Sequence, residues 1–108
     1  MELRKIDANN TLLTLQLSGD LDANGSKEAL PHIDQVLTED NHPEIEIDLK
    51  HVSFLDSSGV GAIVYMYKRL IERERKMCIE NVHGQPLEII TLLRINQAIS
   101  VNKKREAA

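Results

Sequence analysis

Glu44-Ile45-Glu46-Ile47-Asp48-Leu49-Lys50 is followed by His51 and then by Val52-Ser53-Phe54-Leu55-Asp56-Ser57-Ser58-Gly59-Val60-Gly61. Ile45, Ile47 and Leu49 alternate strictly with Glu44, Glu46, Asp48 and Lys50, the period-two pattern of a strand with one polar face. Asn41-His42-Pro43 breaks the chain ahead of it. Beyond the Asp56-Ser57-Ser58-Gly59 loop, Val60, Ile63, Val64, Tyr67, Leu70 and Ile71 recur at helical spacing, so a helix reaches about Arg73. Its far end, Lys68 to Lys76, is charge-rich and expected to be exposed. Met77-Cys78-Ile79 supplies another strand, and strand, helix and strand make a βαβ unit that is right-handed by general rule.

Working outward toward the N-terminus, Leu13, Leu15 and Leu17 share one face of a strand from Thr11 to Ser18. Glu2 to Asp7 pairs with it through a turn at Ala8-Asn9-Asn10. Ala29, Leu30, Ile33, Val36 and Leu37 mark an amphipathic helix from about Asn24 to Thr38. Pro31 falls inside that pattern, so the helix either begins late with Pro31 in its first turn or is kinked there. Toward the C-terminus, Pro86 opens a third helix with Leu87, Ile89, Ile90 and Leu93 facing inward, and a remnant strand fits Ile99–Val101. The order ββαβαβα predicts an α/β fold, a mixed four- to five-stranded sheet with helices packed against it. One domain is expected over residues 1–108, its core spanning about 2–101 and a basic, frayed tail spanning 102–108.

Composition narrows the function. The formal charge is −4, and the only basic cluster is Lys103-Lys104-Arg105, which argues against nucleic-acid binding. No window approaches the run of about 18 apolar residues that a membrane helix needs, and Met1-Glu2-Leu3-Arg4-Lys5 carries no export signal, so the cytoplasm is the expected compartment. Cys78 is the only cysteine and is expected to be a buried structural thiol. His32, His42, His51 and His83 are scattered singly, without metal-ligand spacing. Tyr65 and Tyr67 fall on opposite sides of the second helix, one in the core and one as amphipathic cover.

The loop carries the chemistry. Asp56, Ser57 and Ser58 are all preferred N-cap residues, and Gly59 and Gly61 allow a tight turn and close packing. A helix start also offers unpaired N–H groups and a positive dipole end, where a phosphate on serine fits. Ser57 as a nucleophile with His51 as base would need a Gly-x-Ser-x-Gly elbow, which does not occur. Gly59-Val60-Gly61 completes no phosphate-binding motif, so nucleotide binding has no support.

Val-Ser-Phe-Leu-Asp-Ser-Ser-Gly-Val-Gly resembles the phosphorylation-site segment of STAS domains in anti-sigma-factor antagonists. Gly19-Asp20-Leu21-Asp22 is similar to that family's Gly-Glu-Leu-Asp after the second strand, and the resemblance spans about residues 2–101. It implies a non-enzymatic regulatory binding protein in which a serine kinase modifies Ser57 while Ser58 caps the helix. Asp56, Ser58, Gly59, Gly61, Asp20 and Asp22 would support the loop and contact the partner. The unmodified form would capture the kinase, an anti-sigma factor or a response regulator with kinase and PP2C phosphatase activity. Phosphorylation would release it and a PP2C-type phosphatase would restore it, with no cofactor or metal and with a monomer between encounters. An unphosphorylated STAS scaffold, or a subunit of a transport assembly, is the alternative the resemblance leaves open. One departure is Arg94-Ile95, where the family often has Gly-Leu, which predicts an altered exit from the last helix.

Overall fold

The computed structural model describes residues 1–103. Asn9 organises the first hairpin, its Oδ1 accepting hydrogen bonds from the Thr11 N–H and hydroxyl, both at 2.8 Å, and from the Leu12 N–H at 2.9 Å. It joins β1 (Glu2–Asp7) to β2 (Leu12–Ser18) in antiparallel register. Strands β3 (Glu44–His51), β4 (Lys76–Glu80) and β5 (Ser100–Val101) then add in parallel, giving the spatial order β1-β2-β3-β4-β5. Helices α1 (Ala23–Glu39), α2 (Ser57–Glu72) and α3 (Gly84–Leu92) occupy the three crossovers, and a 3-10 turn at Ile95–Gln97 precedes β5. The α/β class, the mixed sheet and the ββαβαβα order follow the sequence reading.

Alternation builds the core. Leu13 pairs with Ile45, Leu15 with Ile47, and Ile47 in turn with Ile79, all fully buried. Ala29, Ile33 and Leu37 of α1 and Val60, Ile63, Met66 and Leu70 of α2 close over them. Burial of each large aliphatic side chain contributes about 1.5–3 kcal/mol.

Several expectations need correction. Helix α1 does not start late: it extends from Ala23 to Glu39 with Pro31 in its interior, on the exposed face, where solvent can hydrate the carbonyl its missing N–H leaves unpaired. The polar side of β3 is not a solvent face, since Glu46 and Asp48 are only 6% and 8% exposed. The Thr14 hydroxyl donates to Glu46 at 3.0 Å, while the Gln16 and Asn81 amides each donate to Asp48 at 3.2 Å, so the buried carboxylates are satisfied. Helix α2 is rotated from its expected stripe: Met66 is buried, Val64 and Tyr67 are half-buried, and Ile71 is exposed.

Within the charge-rich stretch Arg75 is buried rather than exposed, its Nε donating to the His42 carbonyl at 2.7 Å and its guanidinium pairing with Asp40 at 3.0 Å. Both tyrosines are half-buried; the Tyr65 hydroxyl donates to Asp34 at 2.6 Å and ties α2 to α1. Cys78 is half-buried rather than enclosed. Leu93 faces out, because α3 ends at Leu92 and Arg94 turns the chain. Arg94 adopts φ +59°, the left-handed conformation in which glycine is favoured, so the glycine-type helix exit is kept with an arginine in it. Of the tail expected to fray, Asn102 is anchored: its amide donates to the Val82 carbonyl at 2.9 Å and accepts from the Val82 N–H at 3.1 Å. Lys104 and Arg105 lie outside the described residues.

Candidate functional site: the start of α2

The loop from β3 into α2 lies beside the loop from β2 into α1. The Leu21 N–H donates to the Phe54 carbonyl at 2.9 Å and the Asp56 N–H to the Leu21 carbonyl at 3.4 Å, bridging Leu21 to Leu55. Two helix starts therefore emerge side by side, built alike. In α1, Asp22 is the N-cap and its Oδ1 accepts from the Gly25 N–H at 2.8 Å. In α2, Asp56 is the N-cap and its Oδ1 accepts from the Gly59 N–H at 3.1 Å.

Ser58 is therefore not the cap. Its backbone is already helical, whereas Asp56 has the extended φ and ψ that capping requires. Ser57 is the first helical residue, and both serines are exposed. Gly59 is sterically obligatory: a Cβ there would overlap the Leu21 carbonyl oxygen and the Leu55 side chain. Gly61, expected to permit close packing, has no such duty, since a Cβ would meet nothing within 4 Å. Asp20 is exposed and 3.5 Å from the Ser53 hydroxyl. Phe54, three residues before Ser57 in the chain, is 42% exposed.

One residue of the site gave no signal in the sequence. The Gln85 side chain, from the first turn of α3, accepts from the Leu55 N–H at 2.8 Å and donates to the Leu55 carbonyl at 2.7 Å. Nothing local to Gln85 points to a partner 30 residues earlier. His51, considered as a base for Ser57, is exposed and uses its carbonyl to accept from the Gly19 N–H at 3.1 Å.

Chemically the arrangement is an exposed hydroxyl at the positive end of a helix, with Asp56 beside it and the Asp20 and Asp22 loop adjacent. No helix among the described residues is long and apolar enough to cross a membrane.

The STAS domain family model matches residues 3–108. The chain is 28% identical over 79 residues to the anti-sigma F factor antagonist of Paenibacillus polymyxa, covering 73% of this chain and 68% of that one. It is 25% identical over 95 residues to the anti-sigma-B factor antagonist of Staphylococcus aureus, covering 85% and 84%. Among solved structures, an anti-sigma factor antagonist from Mycobacterium paratuberculosis superposes with TM-score 0.80 at 19% identity, over 94% of this chain and 86% of that one. A sulfate transporter family protein from Wolinella succinogenes superposes with TM-score 0.74 at 11% identity, over 87% and 78%. These structural likenesses speak for the fold. With the sheet order, the paired helix starts and a family match over nearly its whole length, this chain belongs to the STAS domain family.

Proposed function

We propose that this protein is a phosphorylation-controlled binding switch of the anti-sigma-factor-antagonist kind, with Ser57 as its phosphoacceptor. The observation that carries the reading is that Asp56, not a serine, caps α2, so the exposed Ser57 hydroxyl is not needed to hold the helix start. The two relatives named as anti-sigma factor antagonists support the same class of function.

In this reading the unmodified surface around Ser57 and Phe54 binds a serine kinase of the anti-sigma-factor type, or a response regulator with kinase and PP2C phosphatase activity. Gly61 lies four residues beyond Ser57, on the same helix face, where the missing side chain leaves the surface flat for a partner. Phosphorylation adds about −1.5 to −2 charges next to Asp56, and a partner surface can bury that dianion only by supplying cations. The complex separates, and a PP2C-type phosphatase resets it. The protein is a binding component and not an enzyme, acts in the cytoplasm, and is a monomer between encounters. The other reading, an unphosphorylated scaffold or transport subunit, shares the fold but does not need an exposed serine pair at the helix start.

The test is capture of partners from a lysate of the source organism on immobilised wild type, Ser57→Ala and Ser57→Asp. The expected result is a serine kinase retained by wild type and Ser57→Ala and weakened about a hundredfold on Ser57→Asp, equivalent to roughly 3 kcal/mol. Equal retention on both variants contradicts the switch.

A further inference from the structure

Backbone groups of successive strand residues point alternately to the two edges. Beyond the end of β3, Phe54 and Asp56 turn theirs toward Leu21, which leaves the N–H and carbonyl of Leu55 facing the opposite edge. In the sheet that edge belongs to β4, but β4 ends at Glu80 and the chain turns away at Asn81, with φ +60°. Gln85 fills the vacated place, meeting both Leu55 groups at 2.8 and 2.7 Å. Leu55 is fully buried, so without that amide two backbone polar groups would be left unsatisfied in the interior.

We propose that Gln85 is the positioning residue of the Ser57 loop, substituting for a missing strand so that Leu55 is held in extended register and Asp56 and Ser57 are presented in one conformation. The proposal rests on Ser57 being the phosphoacceptor for its functional consequence, though not for its structural content. Gln85 belongs to α3, so the clamp also ties that helix to the phosphoacceptor loop. A second amide clamp of the same chemistry, Asn102 on Val82, sits beyond the end of β4 and provides an internal control.

The experiment compares wild type, Gln85→Glu, Gln85→Met and Asn102→Asp in the full chain. Glu and Asp retain an acceptor but lose the donor, while Met removes both groups at nearly constant length. Two quantities are read: amide hydrogen exchange across residues 53–60, and the initial rate at which Ser57 takes up phosphate from ATP in a lysate of the source organism, by mass spectrometry. Both Gln85 variants should accelerate exchange in this segment by about tenfold or more while the amides of β2 and β3 keep their protection. Both should also slow phosphorylation of Ser57. Asn102→Asp should loosen residues 80–82 and leave the loop as in wild type.

Exchange in residues 53–60 that is unchanged by both Gln85 variants overturns the proposal, and so does equal loosening of this loop by Asn102→Asp. A wild-type rate of phosphorylation in both Gln85 variants overturns the positioning role. If wild-type Ser57 accepts no phosphate while loop exchange still responds to Gln85, the phosphoacceptor reading fails and the clamp stands.

Discussion

The Asp56 carboxylate accepts a hydrogen bond from the Gly59 N–H at 3.1 Å, closing the first turn of α2 around Ser57 and Ser58 without using either hydroxyl. The residue that caps α2 and the proposed phosphoacceptor are thereby different side chains. Asp56→Ala should destabilise the protein by about 1 kcal/mol, the usual cost of a lost N-cap. Ser58→Ala should change stability by less than about 0.5 kcal/mol. Urea unfolding of the two variants checks this; a larger loss for Ser58→Ala would return the capping role to the serine.

The two loop glycines should part company. Gly59→Ala drives a methyl into the Leu21 carbonyl and the Leu55 side chain and should cost about 3 kcal/mol or more. Gly61→Ala enters open space in a helix and should stabilise by about 0.5–1 kcal/mol through reduced chain entropy. If Gly61→Ala also weakens partner capture, its glycine serves the interface. Thermal unfolding separates the pair, and equal losses would contradict the geometry.

His42 should give the protein a stability slope that begins at about pH 6.5, its ordinary pKa. Its Nδ1 lies 2.7 Å from Asp40 Oδ1, and its Nε2 lies 3.1 Å from Asp7 Oδ1 and 3.0 Å from the Asn9 carbonyl. All three are acceptors, so both ring nitrogens are protonated when these bonds form. The hydrogen bond to Asp40, aided by Asp7 and opposed by desolvation, raises the His42 pKa above its ordinary 6.5. Its contribution is therefore complete below about pH 6.5 and is lost as pH rises through the raised value. At Asp40 burial works against ionisation, but the His42 backbone N–H and ring and the Arg75 charge outweigh it and hold the pKa below 3.8. That contribution is present above this ordinary value and disappears as pH falls through the lowered one. Denaturation midpoints at about pH 6 and about pH 8 should differ in wild type and converge in His42→Gln; an identical slope in both would remove His42 from the account.

Much of this was legible in the chain. Leu13-Leu15-Leu17 and Ile45-Ile47-Leu49 gave the strands because a period of two fixes which face is buried, and Asp-Ser-Ser-Gly marked the start of α2. What escaped depends on contacts distant in sequence. Pairing with Thr14, Gln16 and Asn81 buries the β3 carboxylates, and Gln85 and Asn102 satisfy backbone groups 30 and 20 residues away. The assignment of the cap to Ser58 failed for a local reason: Asp56, Ser57 and Ser58 are comparable cap formers, and only the backbone conformation distinguishes them.

Arg94 offers a stabilising substitution. With φ +59° it ends α3 in the left-handed region, so Arg94→Gly should relieve strain and stabilise by about 0.5–1 kcal/mol. Chemical denaturation reads the change, and a destabilised variant would show that the arginine side chain contributes more than its backbone conformation costs.

The central claim is that Ser57 is reversibly phosphorylated. Intact-mass spectrometry with site mapping, on protein isolated from its own organism with and without the PP2C-type phosphatase, tests it directly. The expected result is a phosphate on Ser57 that the phosphatase removes. Its absence from Ser57 under every growth condition would contradict the switch and leave a constitutive STAS scaffold.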